Sequence, residues 1–144
     1  MEANEKTWDN LELVQTLSAG GVVVMPTDTV YGIVARAANP TAVNRIYTIR
    51  KRNTDKPCII LIGSATDVQK FGVELTDAQR DKISKLWPGP VSIGLPCGDD
   101  NFAYLHRGTN SLAFRLPASE ALQVLLREVG PLIAPSANPE GFPV

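Results

Sequence analysis

Hydrophobic residues recur along the chain in two rhythms. Trp8, Leu11, Val14 and Leu17 repeat at helical spacing and stop at Gly20-Gly21, which predicts an amphipathic helix closed by glycine. Residues 22–24, three valines, predict a strand packed on both faces, and Pro26 ends its ladder pairing. Residues 32–38 predict a second strand. Asn39-Pro40 then supplies a cap and a first-turn proline for a helix carrying Val43, Ile46 and Ile49, which runs out in Arg50-Lys51-Arg52. Residues 57–62 form a buried-strand run, and Thr76 with Gln79 makes a capping box for a helix with Ile83, Leu86 and Trp87 on one face. Pro88-Gly89-Pro90 stops that helix. Residues 91–95 and 112–116 predict two strands separated by a polar loop. Ser119 caps a helix bearing Leu122, Leu125, Leu126 and Val129 before Gly130, and residues 132–134 predict a last short strand. Strands alternating with helices predict an α/β sheet. Two strands without an intervening helix make it mixed rather than purely parallel.

Composition narrows the class. A chain of 144 residues is the size of one domain and can bury about two-thirds of its unfolded surface without disulfides or a structural metal. Cys58, Cys97 and His106 stand apart from one another with no metal-ligand spacing, which predicts reduced thiols in a cytoplasmic protein. No apolar run reaches the roughly 18 residues of a membrane span, and the start Met-Glu-Ala-Asn-Glu-Lys lacks the order of a signal peptide. A net charge of −1 and a pI near 5.8 argue against binding nucleic acid by bulk electrostatics. One local excess remains: Arg45, Arg50, Lys51, Arg52 and Lys56 are opposed only by Asp55. Taken alone, such a run is a solvated helix face.

Polar groups collect just past strand and helix ends. The first valine strand empties into Thr27, Asp28, Thr29 and Tyr31, where a turn satisfying its own backbone is the plainest reading of an isolated segment. Arg50 to Lys56, Ser111 with Arg115, and Ser136 with Asn138 complete the set. Hydroxyls, amides and guanidinium groups with no histidine or cysteine beside them suit binding and charge neutralisation better than covalent catalysis. Their natural ligand is a polyanion with a small polar partner. Neither G-x-x-x-x-G-K-S/T nor a helix-opening G-x-G-x-x-G occurs, so a P-loop or Rossmann enzyme is not indicated. Arg115 sits in an otherwise apolar strand, where an inward side chain needs an anionic partner and an outward one on an edge does not.

Pro26-Thr-Asp-Thr-Val-Tyr-Gly32, Arg50-x-Arg52 with Lys56-Pro57, Trp87-Pro-Gly-Pro90, Ala113-Phe-Arg-Leu-Pro117 and Ala134-Pro-Ser-Ala-Asn138 together resemble the YrdC-like family of threonylcarbamoyl-AMP synthases, in order and spacing along nearly the whole chain. The resemblance implies a single YrdC-like domain over residues 1–144. Its fold would be a twisted, open, mixed α/β sheet with helices on its faces and a concave basic cavity. It implies a nucleotidyltransferase that converts L-threonine, bicarbonate and ATP into threonylcarbamoyl-AMP and pyrophosphate. A separate transferase then carries the threonylcarbamoyl group to tRNA. Mapped by motif, Thr29, Tyr31 and Arg115 would contact threonine. Arg50, Arg52, Lys56, Ser111, Ser136 and Asn138 would contact ATP, with Arg50 and Arg52 as the catalytic cations. ATP is then a substrate whose phosphates carry Mg²⁺, with no protein metal site and no tightly bound cofactor. Direct contact with tRNA or double-stranded RNA would fit the same family; a membrane would not.

This chain departs from the family pattern in three places. Arg50 replaces the usual lysine of a K-x-R motif, keeping charge but changing a compact ammonium for a planar fork. Pro139-Glu140-Gly141 replaces x-Ser-Gly and adds a carboxylate. The sequence ends at Val144, before the family's usual C-terminal segment with its Ser-Thr stretch, so lowered activity is expected. Two other readings follow: a non-catalytic nucleotide- or RNA-binding module of the same fold, and a carbamoyl-adenylate enzyme of hydrogenase maturation. The second lacks here its accompanying zinc-finger and acylphosphatase-like domains. On the synthase reading, charge accumulates on phosphate oxygens, so Arg52→Ala should cost about 3 kcal/mol of barrier, roughly two orders of magnitude in threonine-dependent pyrophosphate release. An unchanged rate removes Arg52 from the mechanism.

Overall fold

A computed structural model describes residues 8–51 and 53–135. Its helices begin where the sequence supplies caps. Asn10 opens α1 (Leu11–Ser18) by accepting from the N–H groups of Glu12 at 2.9 Å and Leu13 at 3.2 Å. Asn39 caps α2 (Pro40–Arg50) through the Ala42 N–H at 3.1 Å. The capping box of α3 (Asp77–Leu86) is closed in both directions. Thr76 accepts from the Gln79 N–H at 3.1 Å, and the Gln79 side chain accepts from the Thr76 N–H at 2.9 Å. A single turn, α4 (Ala103–His106), precedes α5 (Glu120–Val129), which Ser119 caps through the Leu122 N–H at 3.3 Å.

The strands are β1 (Val23–Pro26), β2 (Tyr31–Arg36), β3 (Ile60–Leu61), β4 (Ile93–Pro96), β5 (Ser111–Arg115) and β6 (Leu132–Ile133). They join in the order β1-β2-β6-β3-β5-β4, with β3 and β5 parallel and the other neighbouring pairs antiparallel. The expected open mixed α/β sheet is therefore present. Both edge strands, β1 and β4, end in proline.

Alternation along the strands divides the core. Ile33 and Ala35 of β2, Ile60 of β3, Leu112 and Phe114 of β5 and Ile133 of β6 face a larger cluster closed by Val43 and Ile46 of α2, Ile83 of α3 and Leu105 of α4. Val34, Leu61 and Leu132 face the other way, onto Leu17 of α1 and Leu122, Leu125, Leu126 and Val129 of α5. Leu61 is in register with Arg115, which puts that arginine on the α1–α5 side of the sheet.

Several elements differ from their sequence expectation: in β1, expected to pack on both faces, Val24 is 59% exposed, and Leu11 of the first helical stripe is 71% exposed. Ile49 is 55% exposed, and Tyr47 and Arg50 turn inward from α2 instead. At 3.6 residues per turn, steps of three drift by ~60° each, so the series Val43, Ile46, Ile49 walks off the buried face while Tyr47 and Arg50 remain on it. The run 57–62 contributes only two residues to β3, flanked by bonds from the Ala134 N–H to the Ile59 carbonyl and from the Ile62 N–H to the Arg115 carbonyl, each 3.0 Å. A 3₁₀ segment, Ala65–Phe71, appears where no apolar period announced it. Asp67 is buried there, accepting from the Gly63 N–H at 3.1 Å and pairing with Lys70 at 3.1 Å.

Tyr104 beside α2 donates to the Ala37 carbonyl at 2.7 Å, and burial raises its phenol above the ordinary pKa, which keeps it a donor at neutral pH. A close approach between sheet and helix occurs at Gly63, just past β3. A Cβ there would lie 2.9 Å from both the Arg127 nitrogen and the Gln123 carbonyl oxygen of α5. Gly63→Ala should therefore destabilise the chain by about 1–3 kcal/mol, since backbone rather than a flexible side chain must move. Gly98, with nothing within 4 Å of its Cβ position, is the control. Denaturant midpoints should fall for Gly63→Ala and hold or rise slightly for Gly98→Ala.

Candidate active site

The tip of the β1–β2 hairpin is wired by one hydroxyl. Thr27 Oγ1 donates to the Val30 carbonyl at 2.6 Å and accepts from the N–H groups of Thr29 at 3.3 Å and Val30 at 3.2 Å. The Thr27 N–H also donates to the Val30 carbonyl at 3.0 Å. Trp8 secures the strand below by donating from Nε1 to the Pro26 carbonyl at 2.9 Å. The backbone-satisfying reading of the turn therefore holds for Thr27. It leaves the Thr29 hydroxyl, 3.2 Å from that of Thr27, on an exposed residue at the rim.

Asp28 points across to β5. Arg115, only 4% exposed, donates from Nη1 to Asp28 Oδ2 at 3.0 Å, and its Nη2 lies 2.8 Å from Oδ1 as an ion pair without hydrogen-bond alignment. The same Oδ2 accepts from the Ala118 N–H at 3.3 Å. Arg115 also reaches the Gly89 carbonyl at 3.5 Å, and the Gly89 N–H donates to the Leu116 carbonyl at 2.9 Å. The Trp-Pro-Gly-Pro turn, held by Trp87 Nε1 donating to the Val91 carbonyl at 2.7 Å, thus closes against the end of β5. Arg115 is an inward arginine with its anion.

Between these elements lies a cavity of about 220 Å³. Thr27, Thr29, Val30 and Gly32 of the hairpin form one wall, Ile59, Leu61 and Ala134 the sheet floor, and Pro90, Ser92 and Arg115 the far side. The one charged residue in that described lining, Arg115, is balanced by Asp28.

Of the residues singled out from sequence, Thr29 and Arg115 meet at this cavity. Tyr31 is outside its lining: it pairs with Pro26 at the start of β2, and alternation gives the inward place to its neighbour Gly32. Ser111 opens β5 opposite Pro96, four residues and ~13 Å of strand from Arg115, and is also outside the lining. Arg50 is buried at the end of α2, and Lys56 is exposed in the following loop. Arg52, Ser136 and Asn138 lie outside the described residues. Sequence reading placed Thr27 and Asp28 in the polar rim without a role at the site and passed over Ser92; Thr27 and Ser92 line the cavity, and Asp28 pairs with the arginine that lines it. For Asp28 a signal existed, because an arginine in an apolar strand calls for a carboxylate near a strand end.

A family model for Sua5, YciO and YrdC proteins, described as "Telomere recombination", matches residues 15–144. A putative threonylcarbamoyl-AMP synthase of Mycobacterium tuberculosis is 35% identical over 130 residues, 90% of this chain and 60% of its own length. The threonylcarbamoyl-AMP synthase of Photobacterium profundum is 32% identical over 139 residues, 94% of this chain and 75% of its own. The crystal structure of P. abyssi Sua5 complexed with L-threonine superposes with a TM-score of 0.84 at 30% identity, covering 99% of this chain and 42% of that one. The chain thus spans less than two-thirds of several relatives that it matches.

Removing one member of a buried ion pair leaves the other charge without compensation. Asp28→Ala should cost about 3–5 kcal/mol of unfolding free energy, and adding Arg115→Met should recover most of it. A double variant no more stable than the single one would show that Arg115 is not what Asp28 holds.

Proposed function

The chain belongs to the Sua5/YciO/YrdC family, and from that premise we propose that it condenses L-threonine, bicarbonate and ATP into threonylcarbamoyl-AMP and pyrophosphate. The observation that carries the proposal is the near-complete superposition on a synthase-family protein whose structure holds L-threonine, together with a cavity walled by threonine hydroxyls and a buried arginine. At about 220 Å³ the cavity falls below the roughly 300–1,000 Å³ of sites for drug-sized ligands, which suits an amino acid and leaves the nucleotide outside it.

The threonine amine bonds to the carbon of bicarbonate as water leaves, giving a carbamate whose oxygen attacks the α-phosphate of ATP while the bond to pyrophosphate breaks. Negative charge builds on phosphate oxygens, so positioning and cations supply most of the catalysis. Thr29 and Arg115 would take the polar groups of threonine, with Asp28 orienting the guanidinium. Arg50 and Lys56, joined by Arg52, Ser136 and Asn138, would take ATP, with Mg²⁺ held by its phosphates. Tyr31 would border threonine from the start of β2, and Ser111 would offer its hydroxyl on the ATP side. The product would pass to a transferase that modifies tRNA. No helix among the described residues is long and apolar enough to cross a membrane, and a cytoplasmic setting suits that role.

Pyrophosphate and adenylate formation by the 144-residue chain should require both threonine and bicarbonate. Thr29→Val should raise the threonine KM by about threefold to tenfold, the loss of one hydrogen bond, with the ATP KM unmoved. Salt-sensitive RNA binding without turnover would instead establish the binding-module reading.

A further inference from the structure

The segment after α2 carries the cations of the proposed nucleotide site yet gains little from the core. Lys51 ends α2 in the left-handed region at φ 52°. Residues 53–56 are exposed, and the next buried side chain is Cys58. Within the loop the Lys56 N–H donates to the Asn53 carbonyl at 3.1 Å, and the Asp55 N–H donates to Asn53 Oδ1 at 2.9 Å. Those bonds shape the loop from within.

Tyr47 ties the loop to α2. It is 5% exposed on the inner face of that helix and donates its phenol O–H to the Lys56 carbonyl at 2.5 Å. Its ring is covered by the Arg107 guanidinium, centred 3.7 Å from the ring centroid, and Arg107 Nη2 donates to Asn44 Oδ1 at 3.1 Å. Arg107 ends α4 in the left-handed region at φ 55°. A cation over the ring face holds it in place and draws electron density from it, which strengthens the phenol as a donor. Tyr47 is one turn before Arg50 on the same helix face. The helix itself places Arg50, and Tyr47 sets where the backbone of Lys56 returns relative to it.

We propose that Tyr47, clamped by Arg107, is a positioning residue that fixes the spacing of Arg50 and Lys56 for the triphosphate of ATP. This rests on the assignment of those two cations to ATP. Two cations on opposite sides of an exposed loop bind a polyanion well only when their separation is set beforehand; otherwise binding must order the loop.

The test uses the full chain with Tyr47→Phe, which keeps the ring beneath Arg107 and loses only the phenol bond, and Arg107→Met, which keeps the stem and loses the cation. Lys56→Ala is the control for the ATP assignment. Amide exchange over residues 53–56 reads the tether itself, and ATP and threonine KM with kcat read its purpose. Tyr47→Phe should speed exchange in that segment and raise the ATP KM about threefold to tenfold, leaving kcat and the threonine KM within about twofold. Arg107→Met should shift both in the same direction by less. Unchanged exchange in Tyr47→Phe overturns the tether. Faster exchange with an unmoved ATP KM, while Lys56→Ala raises it, overturns the positioning role. If Lys56→Ala is silent as well, the ATP assignment fails and the positioning role falls with it, with the tether measured separately by exchange.

Discussion

A guanidinium at the end of an inner strand cannot remain charged and buried without an anion, and that requirement organises one whole side of this molecule. Arg115 follows Phe114 on β5 and points away from the larger core. Asp28 meets it from the β1–β2 tip, Gly89 from the Trp-Pro-Gly-Pro turn, and Ala118 joins the same carboxylate just before α5. Three loops far apart in sequence thereby acquire fixed relative positions. The cavity is the space that they leave between them.

Local chemistry was legible where it is decided locally. Asn39-Pro40, Thr76 with Gln79, and Ser119 mark helix starts because a cap needs only a side chain and an N–H two or three residues on. The stripe of Leu122, Leu125, Leu126 and Val129 was equally plain, since its spacing mixes threes and fours as 3.6 residues per turn demands. The inward turn of Tyr47 and Arg50 was hidden because polar-tipped residues do not register as an apolar stripe. The brevity of β3 was hidden because a run such as Cys58-Ile-Ile-Leu-Ile62 is equally apolar whether or not it pairs along its length. For the site, the polar rim at residues 27–31 could be seen in sequence, but its division of labour could not. Thr27 serves its own turn, Asp28 a strand 87 residues away, and Thr29 the cavity.

The site also separates its charges more sharply than the basic run between Arg45 and Lys56 suggested. The described cavity wall contains one cation, and Asp28 balances it, which favours a small zwitterionic or neutral guest over a polyanion. The cations of the basic run belong instead to α2 and the loop beyond it. Such a division suits a reaction in which a small polar acid must be held apart from a triphosphate until the two meet at one phosphorus atom.

The two outer strands carry a different consequence. A short edge strand with free N–H groups invites a strand from another molecule to pair with it. Here β1 and β4 are each four residues long and each finishes in proline, Pro26 and Pro96. Neither terminal residue has an N–H to offer, and the Pro26 carbonyl is already taken by Trp8. Each of these edge strands is therefore short and lacks one N–H at its end, which weakens it as a template for a strand from another molecule.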